Sequence, residues 1–238
     1  MNSAPFHGLV AAPFTPFHED GSLACEKIPA YARHLADSGI TGAFVCGTTG
    51  EGASLTTAER KQVAETWMKS APASLRVIVH TGHTAIGEAR DLAAHAESLG
   101  AHAIAAFAPF FFKPTNAAAL AETIAEIAAA APATPFYYYQ IPSMTGVSIP
   151  CLDFLEAAAD LIPTLRGIKF THEDLMDYLS CLHFREGKYD IVFGRDEALA
   201  AALAIGAKGA IAGEWGQATY FKISSFSTPS EPFQVPSL

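Results

Sequence analysis

Three observations predict an α/β fold of the (β/α)8 TIM-barrel type. Short β-rich or apolar runs alternate with longer helical patterns at intervals of roughly 30 residues, the rhythm of repeated βα units around a parallel sheet. Eight such runs can be counted: Gly8–Ala12, Gly42–Cys46, Arg76–His80, Ala103–Ala108, Pro135–Tyr139, Gly167–Phe170, Ile191–Phe193 and Gly209–Ala212. Finally, no Gly-x-Gly-x-x-Gly phosphate loop follows the first run or occurs elsewhere, which argues against an open doubly wound sheet, the other common arrangement of alternating strands and helices.

The segments between the runs carry helix punctuation. After the second run, Thr56-Thr57-Ala58-Glu59 offers a capping box, in which Thr56 accepts from the backbone near Glu59 and Glu59 reaches back. Gly100 follows Ser98-Leu99 and Gly206 follows Ala204-Ile205, both where a left-handed residue ends a helix well. Asn116 opens the alanine-rich stretch to Ala130, which reads as a capped helix of high propensity. From about Glu214 to Leu238 the helical periodicity is lost and Ser and Pro are frequent, so residues 1–213 are expected to form the barrel domain. The remainder, 214–238, reads as a divergent, poorly ordered tail. A complete barrel would place an amphipathic helix there, so the outer faces of the eighth and first strands are expected to lack their usual cover.

With 238 residues, half of them hydrophobic and 16% charged, the chain can bury one large core. A net charge of −9 offers no cationic face for a polyanion, so nucleic acid is not an expected partner. The N-terminus lacks a basic segment followed by a long apolar one, Asn2 is incompatible with N-myristoylation, and the run Ala103 to Phe112 is broken by Pro109 and too short to span a bilayer. Cys25, Cys46, Cys151 and Cys181 are dispersed without zinc-like spacing, so they read as thiols in a reducing compartment, and a cytoplasmic enzyme fits.

In a barrel of this type the chemistry sits at the C-terminal ends of the strands and in the loops after them. Lys169 lies in the sixth run, Arg166-Gly167-Ile168-Lys169-Phe170-Thr171. An amine held in low dielectric loses proton affinity and becomes a nucleophile for a keto group, whereas a lysine that reaches solvent from a strand end stays an ammonium. The loop Gly47-Thr48-Thr49-Gly50-Glu51-Gly52 places two hydroxyls and exposed backbone N–H groups at the same end. It can hold a carboxylate or simply turn the chain into the Thr56-capped helix. In Tyr137-Tyr138-Tyr139, alternation puts Tyr137 and Tyr139 on one face and Tyr138 on the other, and Tyr139, nearest the loop, can relay a proton. Gly194-Arg195-Asp196-Glu197 sets two carboxylates at the rim, where they complement a helix dipole or accept hydrogen bonds from a polyol. His80 and His83 come nearest to a metal pair but have no evident third ligand, so no metal is expected.

Together, Gly47-Thr48-Thr49-Gly50-Glu51, Tyr139-x-x-Pro142, Gly167-Ile168-Lys169 and Gly194-x-Asp196-Glu197 resemble the N-acetylneuraminate lyase and dihydrodipicolinate synthase family of pyruvate-dependent class I aldolases. The resemblance runs from about Gly8 to Gly213. It implies that Lys169 forms a Schiff base with pyruvate, that Thr48 and Thr49 bind the pyruvate carboxylate, and that Tyr139 is the proton-relaying phenol. No cofactor is implied. Met144 stands where the synthase branch carries an arginine, and Asp196-Glu197 is like the lyase branch, where the pair, the Gly194 backbone and Thr171 contact the sialic acid chain. The resemblance thus implies reversible cleavage of sialic acid to pyruvate and N-acetyl-D-mannosamine, by a homotetramer.

After the eighth run the sequence departs from that pattern: Ala212-Gly213-Glu214-Trp215-Gly216 replaces the family's Gly-Ser-Thr-Tyr-Asn, and the expected serine becomes Gly213. The family's last barrel helix and C-terminal helical extension have no counterpart, and the tail reads as an alternative splice end or an altered gene model. Two other readings follow, a non-catalytic truncated form that associates with full-length subunits, and an aldolase for another 2-keto-3-deoxy sugar acid.

Overall fold

The computed structural model describes residues 4–213. The tail from residue 214, and with it the expectation that no closing helix is formed, lies outside the described residues. The first half runs β1 (Gly8–Ala11), α1 (Ile28–Asp37), β2 (Gly42–Val45), α2 (Thr57–Ser70), β3 (Arg76–His80), α3 (Ile86–Ser98), β4 (Ala103–Phe107) and α4 (Ala117–Ala128). The second half runs β5 (Phe136–Gln140), α5 (Pro142–Thr145), α6 (Cys151–Ala158), β6 (Leu165–Phe170), α7 (Leu175–His183), β7 (Asp190–Phe193), α8 (Leu199–Ala204) and β8 (Gly209–Ala212).

Each strand pairs in parallel with the next, and β8 returns to β1 with Gly8 opposite Gly209, so the sheet closes into a barrel and an open doubly wound sheet is excluded. Strand positions agree with the sequence reading to within two residues at either end. The fifth strand begins at Phe136, not Pro135, because proline has no N–H to donate; its carbonyl still accepts from Ile104.

Local chemistry sets the helix ends. Thr56 Oγ1 accepts from the Glu59 backbone while Glu59 reaches back to the Thr56 N–H, a complete capping box. Asn116 caps α4 through Ala119 N–H, and Gly100 and Gly206 follow their helices with positive φ of 74° and 108°.

Strand alternation divides the interior into two layers. Tyr138, Ile168 and Phe170 point outward and join the large apolar layer under the helices, with Tyr138 against Phe154 at 4.3 Å between ring centroids. Tyr137 and Tyr139 point inward with Phe44, Ile78 and Phe107, as the alternation predicts. The N-terminal end of the barrel is closed by a polar plug. Asp190 Oδ2 accepts from both Tyr137 Oη and the Phe6 N–H at 2.7 Å, and Arg76 lies 3.9 Å over the Phe6 ring. Burial raises the pKa of Asp190, and these two hydrogen bonds draw it back down. Among the described residues no helix is long and apolar enough to cross a membrane.

Candidate active site

Lys169 belongs to the inward-pointing set of β6, directly beside Tyr139 in the β5–β6 register. It is 4% exposed, so it does not reach solvent from the strand end. Its Nζ sits 4.0 Å over the Phe44 ring and 4.1 Å over the Tyr139 ring. Ring faces favour the ammonium by up to about 2 kcal/mol. Burial works the other way and wins, lowering the amine from 10.5 to about 7 even though the Asp196 carboxylate favours its charged form. The net depression makes the ammonium on the order of 5 kcal/mol less favourable than in water. Near neutrality a substantial fraction of Lys169 is therefore a free nucleophile.

Tyr139 Oη shares a hydrogen bond of 3.1 Å with Thr48 Oγ1, joining the loop after β2 to the lysine's neighbour. Burial pushes the phenol up to about 12, while the Thr48 and Thr171 hydroxyls draw it down. Thr171 Oγ1 is buried and, among the described residues, has no partner at full hydrogen-bond geometry, although it lies close enough to act on the phenol. At neutral pH the phenol therefore holds its proton and can act only by relaying it, with Thr48 as the adjacent acceptor or donor.

The other sequence-selected residues lie around this centre. Gly194 packs so tightly on Thr171 that a Cβ would fall 2.1 Å from Thr171 Oγ1, and only glycine lets the chain pass there. The Gly194 N–H donates to the Phe170 carbonyl at 2.7 Å, which fastens the loop after β7 to the end of β6. Thr49 lies against Gly213, where a Cβ would come 2.9 Å from its Oγ1. Asp196 and Glu197 open a short 3-10 turn, Asp196–Ala198, ahead of α8. Asp196 is near enough to Lys169 to act on its charge, whereas Glu197 is exposed at the rim, its Oε2 3.5 Å from Arg195 Nε. Arg195 also pairs with Glu173 and so ties the loops after β6 and β7 together.

A cavity of about 250 Å3 opens beside Thr48, walled by Gly47, Glu51, Phe107, Phe110, Ile141 and Met144. The walls are mainly apolar, and Lys169 is not among them. Among the described residues no cluster of three His, Cys, Asp or Glu side chains is placed to hold a metal ion. His83 Nδ1 accepts from the Ala85 N–H, and His80 is enclosed in the core.

Sequence reasoning missed Arg60 and Arg195. Arg60 stands in α2 among charged neighbours and reads as a surface residue, yet it is 1% exposed. Its Nη1 donates to the Gly82 carbonyl at 2.8 Å and its Nη2 to the His80 carbonyl at 2.6 Å. The sequence signal for it is faint, an arginine one residue past a capping box that faces the strand end carrying the site.

The comparisons agree with this architecture. The profile of the dihydrodipicolinate synthetase family matches residues 5–216. N-acetylneuraminate lyases of Mus musculus and Homo sapiens are each 45% identical to this chain over 207 residues, which is 86% of this chain and 65% of theirs. The chain thus spans about two thirds of the length of these curated relatives. The structure of N-acetylneuraminate lyase (sialic acid aldolase) from Aliivibrio salmonicida superposes with a TM-score of 0.86 at 44% identity, covering 88% of this chain and 70% of that one. Dihydrodipicolinate synthase from Aquifex aeolicus superposes with a TM-score of 0.81 at 31% identity, covering 87% and 70%. With its closed eight-stranded barrel and a family match over nearly all the described residues, this chain belongs to the dihydrodipicolinate synthetase family.

Proposed function

We propose that this barrel is a class I aldolase that cleaves N-acetylneuraminate reversibly to pyruvate and N-acetyl-D-mannosamine through an imine on Lys169. The observation that carries the reading is a lumenal lysine lowered to about 7, side by side with a phenol bonded to Thr48. The free amine attacks the keto carbon, and loss of water gives the imine. Once protonated, the imine nitrogen draws the electrons of the bond between the imine's α and β carbons into the enamine. The proton of the β-hydroxyl, which becomes the aldehyde, passes along the Tyr139–Thr48 pair, one proton accepted as another is given up, to the enamine carbon. Water then releases pyruvate. The electron sink is built from the chain's own lysine, so the chemistry calls for no metal or cofactor.

Thr48 and Thr49 are assigned to the keto-acid carboxylate. The hydroxylated tail is assigned to Thr171, the Gly194 backbone, Asp196 and Glu197, at the ends of β6 and β7. Sialic acid is favoured over a synthase substrate because the exposed Met144 offers no cation for a second carboxylate. Names carried by relatives of about 45% identity support the same choice.

Reduction with borohydride in the presence of pyruvate is expected to add a single pyruvate-derived mass to Lys169. The yield should rise with pH and reach half its maximum near 7, where the amine loses its proton. A folded protein that acquires no adduct would overturn the proposal. Incubation with sialic acid should then release pyruvate.

The reading extends to a homotetramer in the cytoplasm. Phe110, Phe111, Phe112 and Met144 project around the mouth of the barrel at 38%, 75%, 87% and 64% exposure, an apolar area that assembly would cover. The four cysteines are free thiols, consistent with a reducing compartment. Light scattering of the purified chain is expected to give four times the 25.1 kDa chain mass, and a monomer would remove the assembly from the reading.

A further inference from the structure

Arg60 is a buried guanidinium with no anionic partner among the described residues. Its fork is held by the carbonyls of His80 and Gly82, and none of the ion pairs among the described residues includes it. Burial opposes its charge, yet arginine stays protonated, so the folded chain carries an uncompensated cation at this point. Through His80, that cation is connected to the loop of the candidate carboxylate site. The His80 Nδ1–H donates at 3.0 Å to the carbonyl of Cys46, the residue before Gly47-Thr48-Thr49. Cys46 is held at a φ of 58°, its Sγ donates to the Arg60 carbonyl at 3.8 Å, and Gly52 approaches so closely that a Cβ would fall 1.9 Å from the Cys46 carbonyl oxygen. The His80 ring continues the line inward, edge-on to Tyr139 at 5.6 Å and against Phe107 at 4.5 Å.

Three carbonyls, those of Cys46, His80 and Gly82, are thus linked through Arg60 and His80 to the loop that would receive a carboxylate. Unopposed, their negative ends would repel an anion. Arg60 meets two of them directly and adds a net positive charge in a medium of low dielectric, where charge acts over several ångströms.

We propose that Arg60 is the buried counter-charge for the carboxylate of the keto acid bound at Thr48 and Thr49, acting through the protein instead of by contact, and that through His80 it also positions the loop after β2. The proposal rests on the assignment of a keto-acid substrate to Lys169. It accounts for a cation that costs stability where it stands, and for a candidate carboxylate contact made by two neutral hydroxyls, Thr48 and Thr49.

The test compares pyruvate with methyl pyruvate, which keeps the reacting carbonyl and loses the charge, by borohydride trapping at Lys169. Arg60→Gln keeps donors for the two carbonyls and removes the charge, while Arg60→Lys keeps the charge and removes the fork. For Arg60→Gln the pyruvate concentration at half-maximal trapping should rise about tenfold or more, the factor supplied by about 1.4 kcal/mol of attraction. Methyl pyruvate should shift by less than about twofold, because no charge–charge attraction is lost. Arg60→Lys should retain the parent's preference for pyruvate over the ester. Equal shifts for both compounds, or no shift for either, would overturn the counter-charge. If Arg60→Gln does not fold, loss of the pyruvate preference in Arg60→Lys overturns it instead. Failure of the parent protein to be trapped by pyruvate would reject the aldolase assignment, a separate outcome.

Discussion

Replacement of Lys169 by methionine is expected to abolish trapping and turnover and, at the same time, to make the protein more stable. Loss of the imine-forming amine should reduce cleavage by more than about 10^4-fold, since no other lumenal group replaces a covalent electron sink. The stability gain comes from the same burial that activates the amine. In the folded chain Lys169 gives up its proton at about 7, and in the unfolded chain near the ordinary 10.5. Between those two values the unfolded chain holds more protons, so the folded state gains stability as pH rises from about 7 to 10.5 and carries the full burden below 7. Methionine fills a similar volume and carries no charge to desolvate. At pH 7 the variant should gain about 2–4 kcal/mol, a rise in Tm of roughly 5–15 °C. The gain should shrink as the melts are repeated toward pH 10. A variant no more stable than the parent at pH 7 would mean that the lysine is better solvated than its position indicates.

Tyr139→Phe separates proton relay from packing. The ring lies under Lys169 Nζ, meets Phe44 edge-on at 5.3 Å and touches His80 and Phe107, and phenylalanine keeps all of these contacts. Only the hydroxyl bonded to Thr48 is lost, for a stability change of about 1 kcal/mol. Turnover of sialic acid should nevertheless fall by about 10^2- to 10^4-fold, the usual contribution of a positioned proton-transfer group. The lysine keeps its low-dielectric setting, so an adduct with pyruvate should still form at Lys169. A loss of turnover below about tenfold would move the relay to another group.

The barrel could be read from the sequence because its signals are local and periodic. Apolar runs, the Thr56–Glu59 box, the Asn116 cap and the glycines after α3 and α8 each act within a few residues. The parity of Tyr137, Tyr138 and Tyr139 sorted the three rings onto the correct faces. Parity also carried Lys169 to the lumen, since Ile168 and Phe170 had to face the helices. The electrostatics at the rim and behind the site could not be read in this way. Arg60 reaches carbonyls 20 and 22 residues further along the chain, and only the packing of α2 on β3 brings them within range. Nothing in the spacing around Glu197 shows that it shares Arg195 with Glu173, 24 residues earlier in the chain. Long flexible side chains choose partners by tertiary proximity, and sequence spacing carries almost no information about that choice.

The polar plug at the N-terminal end bears on how this chain reaches its native state. Each of the first seven strand junctions joins consecutive strands, but the last unites β8 with β1, and just ahead of β1 the Phe6 N–H bonds to Asp190 of β7, 184 positions away. Doubling such a separation adds only about 0.6 kcal/mol of closure entropy, so the cost is mainly one of time. During synthesis β1 has one edge open until nearly all the described chain has emerged, and an open edge recruits stray strands. Asp190, one strand before β8 in the chain, bonds the Phe6 backbone and the Tyr137 hydroxyl together, so the end of β1 is held by β7 as well as by β8, and the last junction of the ring does not stand alone.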